Sequence, residues 1–559
     1  MEPTVRSAEP RPAPVRAPLT LSVGVGLGLI ALAALLRVVA YPPFSQGWCI
    51  WVSLVPLLLL VRWGGWWSRH PFLAGWLAGF AWQTGLLWWV GHVTVQGTLL
   101  LTAYLALYPA VWLWVVAAWA RRLEERFGPF GETDDWRRSR VNLAWAGLAA
   151  GWWVVLEFLR GWLLTGFGWN GPGGALWENI PLLQLASLGG VLLLSALVVF
   201  VNAATAAYVT NLAADLRAGI AHSSRLELYA LLLLVAVVFA WGFWHAAPEG
   251  FKTHHRLRYV LVQPNIPQTR HGEPMPTHEK IRRHLDSTRA GIAMVQARDW
   301  ALPGTDVVIW PEATTFFDPR VHEGFRLLVQ NLANEAGAPL LFGAQYSEPL
   351  DQFTAVYDVA PEGDPRLLYL KNHLVLFGEY IPLLDVFPFL SMVAPVPVPL
   401  SPGTKVSAVE VTGPDGPTWL VPLICFEDSV PRLVRAAVRN APRPAVLVNM
   451  TNDSWFKDSP GAWVHLANAV PRTVETGLPM LRATNTGVTA VISPTGVVQE
   501  VLRGPDGRAV GAFGALEGRL AWTPRPPTFY QRWGDWPAPL AALVCFLGGL
   551  SLSRKRSHG

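Results

Sequence analysis

From residue 71 through 120, between His70 and Arg121, the chain carries no Asp, Glu, Lys or Arg. A segment of this kind is poorly suited to water, and it is long enough for two helices of about 20 residues that cross a bilayer. The remaining composition points the same way. Hydrophobic residues make up 52% of the chain and charged residues only 15%, and the 29 tryptophans suggest a bilayer interface. The apolar content is uneven, however. Residues 250–530 are rich in charge, proline and glycine and read as one folded, water-facing domain.

Candidate spans lie near 19–40, 47–61, 72–91, 97–120, 142–164, 186–211, 228–246 and 537–553. The second is short, and loop charge supports its inclusion. Arg6, Arg11 and Arg16 precede the first span, and Arg62 and Arg69 follow the second. Arg121, Arg122, Arg126, Arg137, Arg138 and Arg140 lie between the fourth and fifth, Arg217 and Arg225 between the sixth and seventh, and Arg554, Lys555 and Arg556 close the chain. The alternate loops YPPFSQ, GHVTVQG and TGFGWNGPGG have no Lys or Arg. Eight spans put every basic loop on one side, so the positive-inside rule predicts cytoplasmic termini and an extracytoplasmic domain. The expected division is a cytoplasmic tail over 1–18, a membrane domain with seven helices over 19–246, the outer domain over 247–532, and an eighth helix with a basic tail over 533–559. The first apolar segment fits a span better than a cleaved signal peptide, because no small-residue cleavage site follows it. The net charge of +5 sits at the ends of apolar segments, which argues for topology and against nucleic-acid binding.

Cys425, in LVPLICFEDSV, is the only cysteine of the outer domain, since Cys49 and Cys545 fall in spans. It has no partner there for a structural disulfide. A lone thiol in an oxidising compartment is either buried and inert or kept for its reactivity.

The outer domain repeats one pattern: a short β-rich run, a polar residue where it ends, then a helix-like stretch or loop. This predicts a layered α/β domain, in which chemistry gathers where strands end. DVVIWPE ends at Glu312, LLYLK at Lys371, and LVPLIC at Cys425. A carboxylate, an ammonium and a thiol suffice for acyl transfer, because a thiol needs a base or a cation to become a nucleophile. Taken singly, Glu312 also reads as a cap or surface charge, and Lys371 as a solvated strand end.

WPE, the lysine of YLKNHLVLFGEY, and ICFED resemble the Glu–Lys–Cys signature of the nitrilase superfamily. Over 19–553 the chain resembles that superfamily's integral membrane branch, the apolipoprotein N-acyltransferase family. EFLRGWLLTGFGWNGPG, VQPNIPQ, HLVLFGEYIP, NMTNDSWF and RATNTGVTAVISPTG carry the likeness beyond the three strand ends. The resemblance implies an α-β-β-α sandwich joined to eight membrane helices. It also implies a two-step transfer without cofactor or metal, in a bacterial inner membrane, with the domain on the periplasmic side. The donor would be a phospholipid, with phosphatidylethanolamine expected, and the acceptor a diacylglyceryl-modified apolipoprotein. Glu312 would be the general base, Lys371 the oxyanion stabiliser and Cys425 the nucleophile, with Glu379 and Glu427 in support, orienting Lys371 and shaping the pocket. The chain departs from the family at Phe426, where a Tyr is usual, at Leu376, where Pro is common, and in TRHGEP (269–274), where a Trp is expected.

Two further expectations concern the membrane face. The apolar, proline-rich segment 381–400 reads as a lid dipping into the outer leaflet, or else as an irregular buried segment. Glu157 and Arg160, spaced i, i+3, are expected to pair, the alternative being that Arg160 meets a lipid phosphate. Rival functions are an anchored amidase using water as acceptor and a transporter; the near absence of ionisable residues within the spans argues against the latter.

Overall fold

The computed structural model describes residues 20–127, 135–217, 226–247, 255–268, 274–297, 304–312, 317–382, 384, 386–388, 391, 396, 399–404 and 407–553. The basic residues expected at 6–16, 225 and 554–556, the expected tail over 1–18, and most of TRHGEP lie outside them. Before the sandwich come the helices Val23–Val39, Val55–Arg62, Pro71–Leu87, Val95–Leu105, Leu107–Phe127, Asp135–Arg160, Ala186–Arg217 and Leu226–Ala246; Pro537–Ser553 follows it. Among the described residues, four segments are long and apolar enough to cross a membrane: Val95–Phe127, Trp136–Arg160, Ala186–Arg217 and Leu226–Ala246. The other apolar helices are shorter. A 17-residue helix such as Val23–Val39 rises about 26 Å, less than the roughly 30 Å of a bilayer core.

The second expected span is not one helix. A 3₁₀ turn, Gly47–Trp51, is followed after a break by the Val55–Arg62 helix. Asn202, buried on the Ala186–Arg217 helix, makes the break tolerable. Its Oδ1 accepts from the Leu54 N–H at 2.8 Å and its Nδ2 donates to the Ile50 carbonyl at 3.0 Å. Backbone groups released within an apolar bundle need such a partner. Elsewhere tryptophans bridge helices, with Trp112 Nε1 donating to the Ala149 carbonyl and Trp145 Nε1 to that of Val116. Gly75 permits close approach of the Leu107–Phe127 helix, because a Cβ there would lie 2.6 Å from the Pro109 oxygen. The expected Glu157–Arg160 pair is present and buried, at 4.0 Å.

The charged region folds as two six-stranded sheets. The first contains β1 (His255–Gln263), β2 (Val307–Ile309), β3 (Leu340–Ser347), β4 (Gln352–Val359), β5 (Arg366–Leu370) and β12 (Gly514–Trp522), in the order β12-β1-β2-β3-β4-β5. The second contains β6 (Val409–Gly413), β7 (Gly416–Ile424), β8 (Ala445–Thr451), β9 (Met480–Thr484), β10 (Ala490–Ile492) and β11 (Val498–Val501), in the order β11-β10-β9-β8-β7-β6. Each has three parallel strands at its centre, β1-β2-β3 or β7-β8-β9, with antiparallel strands outside.

Strand alternation divides the side chains between two cores. Leu420 and Ile424 of β7, with Val446, Val448 and Met450 of β8, meet Leu257, Tyr259 and Leu261 of β1 between the sheets. Val421, Leu423, Ala445 and Leu447 point the other way. Helices Thr277–Ala297 and Glu323–Ala336 cover the outer face of the first sheet. Helices Pro431–Val438 and Gly461–Thr476 cover the second, and here the hydrophobic core runs on without interruption into the membrane helices through Leu183, Leu194 and Val198. The result is an α-β-β-α sandwich with one outer layer fused to the apolar helices. Of the expected lid, Val386 and Phe387 are exposed, while Asp385 and Phe389 lie outside the described residues.

Candidate active site

Glu312 stands three residues beyond β2, Lys371 directly after β5, and Cys425 directly after β7. The strands fix the backbone at these points and release the side chains at one end of the sandwich. Lys371 is 1% exposed, and its Nζ lies 3.1 Å from Glu312 Oε1 and 2.5 Å from Glu379 Oε1. The other Glu379 oxygen accepts from the Val375 N–H at 2.8 Å, which fixes the carboxylate against its own loop. Burial opposes the ammonium, but Glu312 and Glu379 outweigh it and hold Lys371 well above the ordinary lysine range. An ammonium has three N–H donors, and two of them are engaged here.

Cys425 has φ +53°, a left-handed conformation that a side chain disfavours, and it begins a 3₁₀ turn, Cys425–Ser429. The sharp turn from strand to helix keeps the thiol partly accessible and close enough to Glu312 for that carboxylate's charge to act on it. Burial and the Glu312 charge push the thiol well above its usual range, so the resting sulfur is protonated. Burial likewise raises Glu312 above the ordinary carboxylate range.

Glu427 is completely buried and reaches neither the thiol nor the ammonium through a hydrogen bond. Its Oε1 accepts from the N–H groups of Asn372 (2.7 Å) and His373 (3.0 Å), its Oε2 from that of Ile424 (2.7 Å), and Tyr369 donates at 2.9 Å. It therefore ties the strand end bearing the thiol to the strand end bearing the lysine. Burial pushes its carboxyl up to about 7.

The sequence reading missed several neighbours. Phe426 stacks on Trp169 (5.5 Å between ring centres) and on His373 (5.9 Å), so an apolar ring from the 161–176 loop reaches the site. Arg432 holds that loop by donating to the carbonyls of Gly161 (2.5 Å) and Thr165 (3.1 Å). Behind the thiol lies a buried charged group of Asp428, Asp453, His465 and Arg482. Asp428 follows Glu427 directly and Asp453 lies in NDSWF, so both were within motifs already noted; nothing in the sequence around His465 marks it. Among the described residues, no cluster of His, Cys, Asp and Glu has the arrangement of a metal site.

Comparison with known proteins agrees with this architecture. Residues 33–204 match the apolipoprotein N-acyltransferase N-terminal domain, and residues 261–507 match the carbon-nitrogen hydrolase domain. The apolipoprotein N-acyltransferase of Geobacter metallireducens is 30% identical over 549 residues, covering 95% of this chain and 96% of that one. That of Azotobacter vinelandii is 31% identical, covering 95% of each. Among solved structures, an amidase of the nitrilase superfamily from Nesterenkonia AN1 aligns at 18% identity with a TM-score of 0.33, over 51% of this chain and 96% of its own. With near-complete coverage by such relatives and a sandwich of the carbon-nitrogen hydrolase type, the chain belongs to the apolipoprotein N-acyltransferase family.

Proposed function

We propose that the chain moves a fatty acyl group from the sn-1 position of a membrane phospholipid, with phosphatidylethanolamine the expected donor, to the α-amine of the N-terminal diacylglyceryl-cysteine of apolipoproteins. The observation that carries this reading is the meeting of three strand ends, with Lys371 Nζ 3.1 Å from Glu312 and Cys425 leaving its strand where the charge of the same carboxylate reaches it. Family membership supports the acceptor, and the core shared with apolar helices suits a lipid donor.

Cys425 Sγ attacks the ester carbonyl carbon while Glu312 accepts the thiol proton. Charge moves to the carbonyl oxygen, where the third Lys371 N–H stabilises it; one such donor is worth about 3 kcal/mol of barrier. The ester C–O bond then breaks, the glycerol oxygen leaves with the proton from Glu312, and lysophospholipid departs from a Cys425 thioester. The acceptor amine attacks the thioester carbon and the C–S bond breaks. A proton from the amine passes through Glu312 to the sulfur, leaving an amide and the resting thiol. Glu379 keeps Lys371 charged and placed, and Glu427 fixes the two strand ends.

The topology belongs to the same proposal. Eight spans, with the shorter helices crossing beside the four long ones, give cytoplasmic termini, a membrane domain over 19–246, a periplasmic domain over 247–532 and a last helix within 533–559. The alternation of basic loops supports it.

Intact-protein mass spectrometry tests the chemistry. Wild type incubated with phosphatidylethanolamine of defined chains should gain one acyl increment, removable by hydroxylamine and absent from Cys425→Ala. A diacylglyceryl-cysteine peptide should then discharge it. No increment, together with hydrolysis of simple amides, would replace this reading with a membrane-anchored amidase.

A further inference from the structure

His465 lies in the Gly461–Thr476 helix, 1% exposed, and both of its ring nitrogens face carboxylates. Nδ1 is 2.8 Å from Asp453 Oδ1, and Nε2 is 3.0 Å from Asp428 Oδ1. Ionised carboxylates only accept hydrogen bonds, and a neutral imidazole donates from one nitrogen alone. The two short contacts therefore require either an imidazolium or a protonated acid. Arg482 selects the imidazolium: its Nη1 is hydrogen-bonded to Asp428 Oδ2, and its Nη2 lies 3.5 Å from Asp453 Oδ2. A permanent cation beside the two acids favours the arrangement in which the extra proton sits on the imidazole. The packing leaves little slack, since a Cβ on Gly487 would lie 2.2 Å from Asp453 Oδ2.

The group connects to the nucleophile by two routes. Asp428 belongs to the turn that Cys425 begins. Arg482 Nη1 also donates to Asn449 Oδ1 at 2.8 Å, and Asn449 Nδ2 donates to the Cys425 carbonyl at 3.0 Å. The left-handed turn at Cys425 is thus held by Glu427 on one side and by this chain of bonds on the other. The charge balance also matters to the sulfur, since Asp453 is among the charges that disfavour the thiolate. With His465 protonated, two cations balance two anions; without that proton, one uncompensated negative charge remains beside the thiol.

We propose that His465 is a positioning residue, held as a buried imidazolium between Asp428 and Asp453, that keeps the Cys425 turn in its strained shape and balances the charge of Asp453 behind the thiol. The groups facing it are Asp428 from the turn, Asp453 from the segment after β8 and Arg482 from β9, with the Trp169 ring tilted against it, 5.1 Å between ring centres. Burial and Arg482 oppose its charge, yet the two carboxylates hold it above the ordinary histidine range.

The inference rests on Cys425 as the nucleophile, but its test reads the thiol directly and does not depend on which acyl donor is used. Alkylation of Cys425 by iodoacetamide, followed across pH by peptide mass spectrometry on the full-length protein in detergent, gives the thiol midpoint. His465→Gln keeps a donor but removes the charge, and should raise the midpoint by about one unit, so that alkylation at fixed pH slows about tenfold. Adding Asp453→Asn to that variant restores the charge balance and should return the midpoint toward wild type. A role in folding alone would lower the melting temperature without moving the midpoint and would show no rescue, and either result overturns the proposal. Should His465→Gln fail to assemble, Asp453→Asn alone must lower the midpoint; an unchanged or raised value would equally refute it.

Discussion

The two sheets of the sandwich are built alike but covered differently. The Thr277–Ala297 helix on the first sheet buries six of its 21 residues and turns its charges to solvent. The Gly461–Thr476 helix on the second buries 14 of 16, because its far side packs on the membrane helices. An amphipathic stripe suffices for a layer facing water, whereas a layer between two apolar surfaces is buried all round. Cys425 stands on the membrane-anchored sheet, and Glu312 and Lys371 on the water-facing one. The division fixes the thiol relative to the apolar helices, while the carboxylate and the ammonium arrive from the other side of the sandwich. Glu427 joins the halves.

The largest test of this contrast lies in the two outer layers. Leu466→Ala and Leu332→Ala each remove a fully buried leucine and should each cost about 2–5 kcal/mol. Only Leu466→Ala should also loosen the membrane helices, whose buried thiols Cys49 and Cys545 report opening to a thiol reagent during thermal unfolding in detergent. Equal release from both variants would mean that the two layers are not distinct. Next in size is Lys371→Met. It removes the proposed oxyanion donor of the first sheet but leaves the proposed nucleophile of the second intact. Acyl-Cys425 formation should slow about 10²–10³-fold while iodoacetamide still reaches the thiol, as rate measurements by mass spectrometry would show.

The smallest effect concerns pH and the joint between the sheets. Burial, then the nearby Arg432 charge, depresses His373 from 6.5 to about 4. The unfolded chain therefore binds the extra proton, and this residue's contribution to stability is lost as pH falls from about 6.5 toward 4. Glu427 has the opposite sign. Its carboxyl rises from 4.5 to about 7, so its contribution is full below 4.5 and is lost as pH rises through about 7. The two slopes oppose each other in the wild type. His373→Asn should leave a melting temperature that falls from pH 4.5 to 7, and Glu427→Gln one that rises. Parallel profiles for both variants would show that neither residue carries this linkage.

Much of this was legible in the sequence because it depends on local pattern. Charge-free runs specify apolar helices, and alternating β-rich segments specify strands whose ends bear polar residues. Glu312, Lys371 and Cys425 stood out because each terminates such a strand, and Glu379 lies only eight residues beyond Lys371. The sequence could not show that the 47–61 segment breaks at residues 52–54, since the partner that satisfies its backbone, Asn202, is distant in the chain. Nor could it show that Glu427 bonds backbone N–H groups more than fifty residues away, or that one helix layer is shared with the membrane helices. His465 illustrates the limit most clearly. A single histidine in a helix carries no local signal, and it acquires meaning only when a turn, a loop and a strand from separate parts of the chain enclose it with two carboxylates and a guanidinium. Local propensity and hydrophobic pattern act over a few residues and can be read along the chain, whereas charge compensation in a buried site depends on distances that folding alone creates.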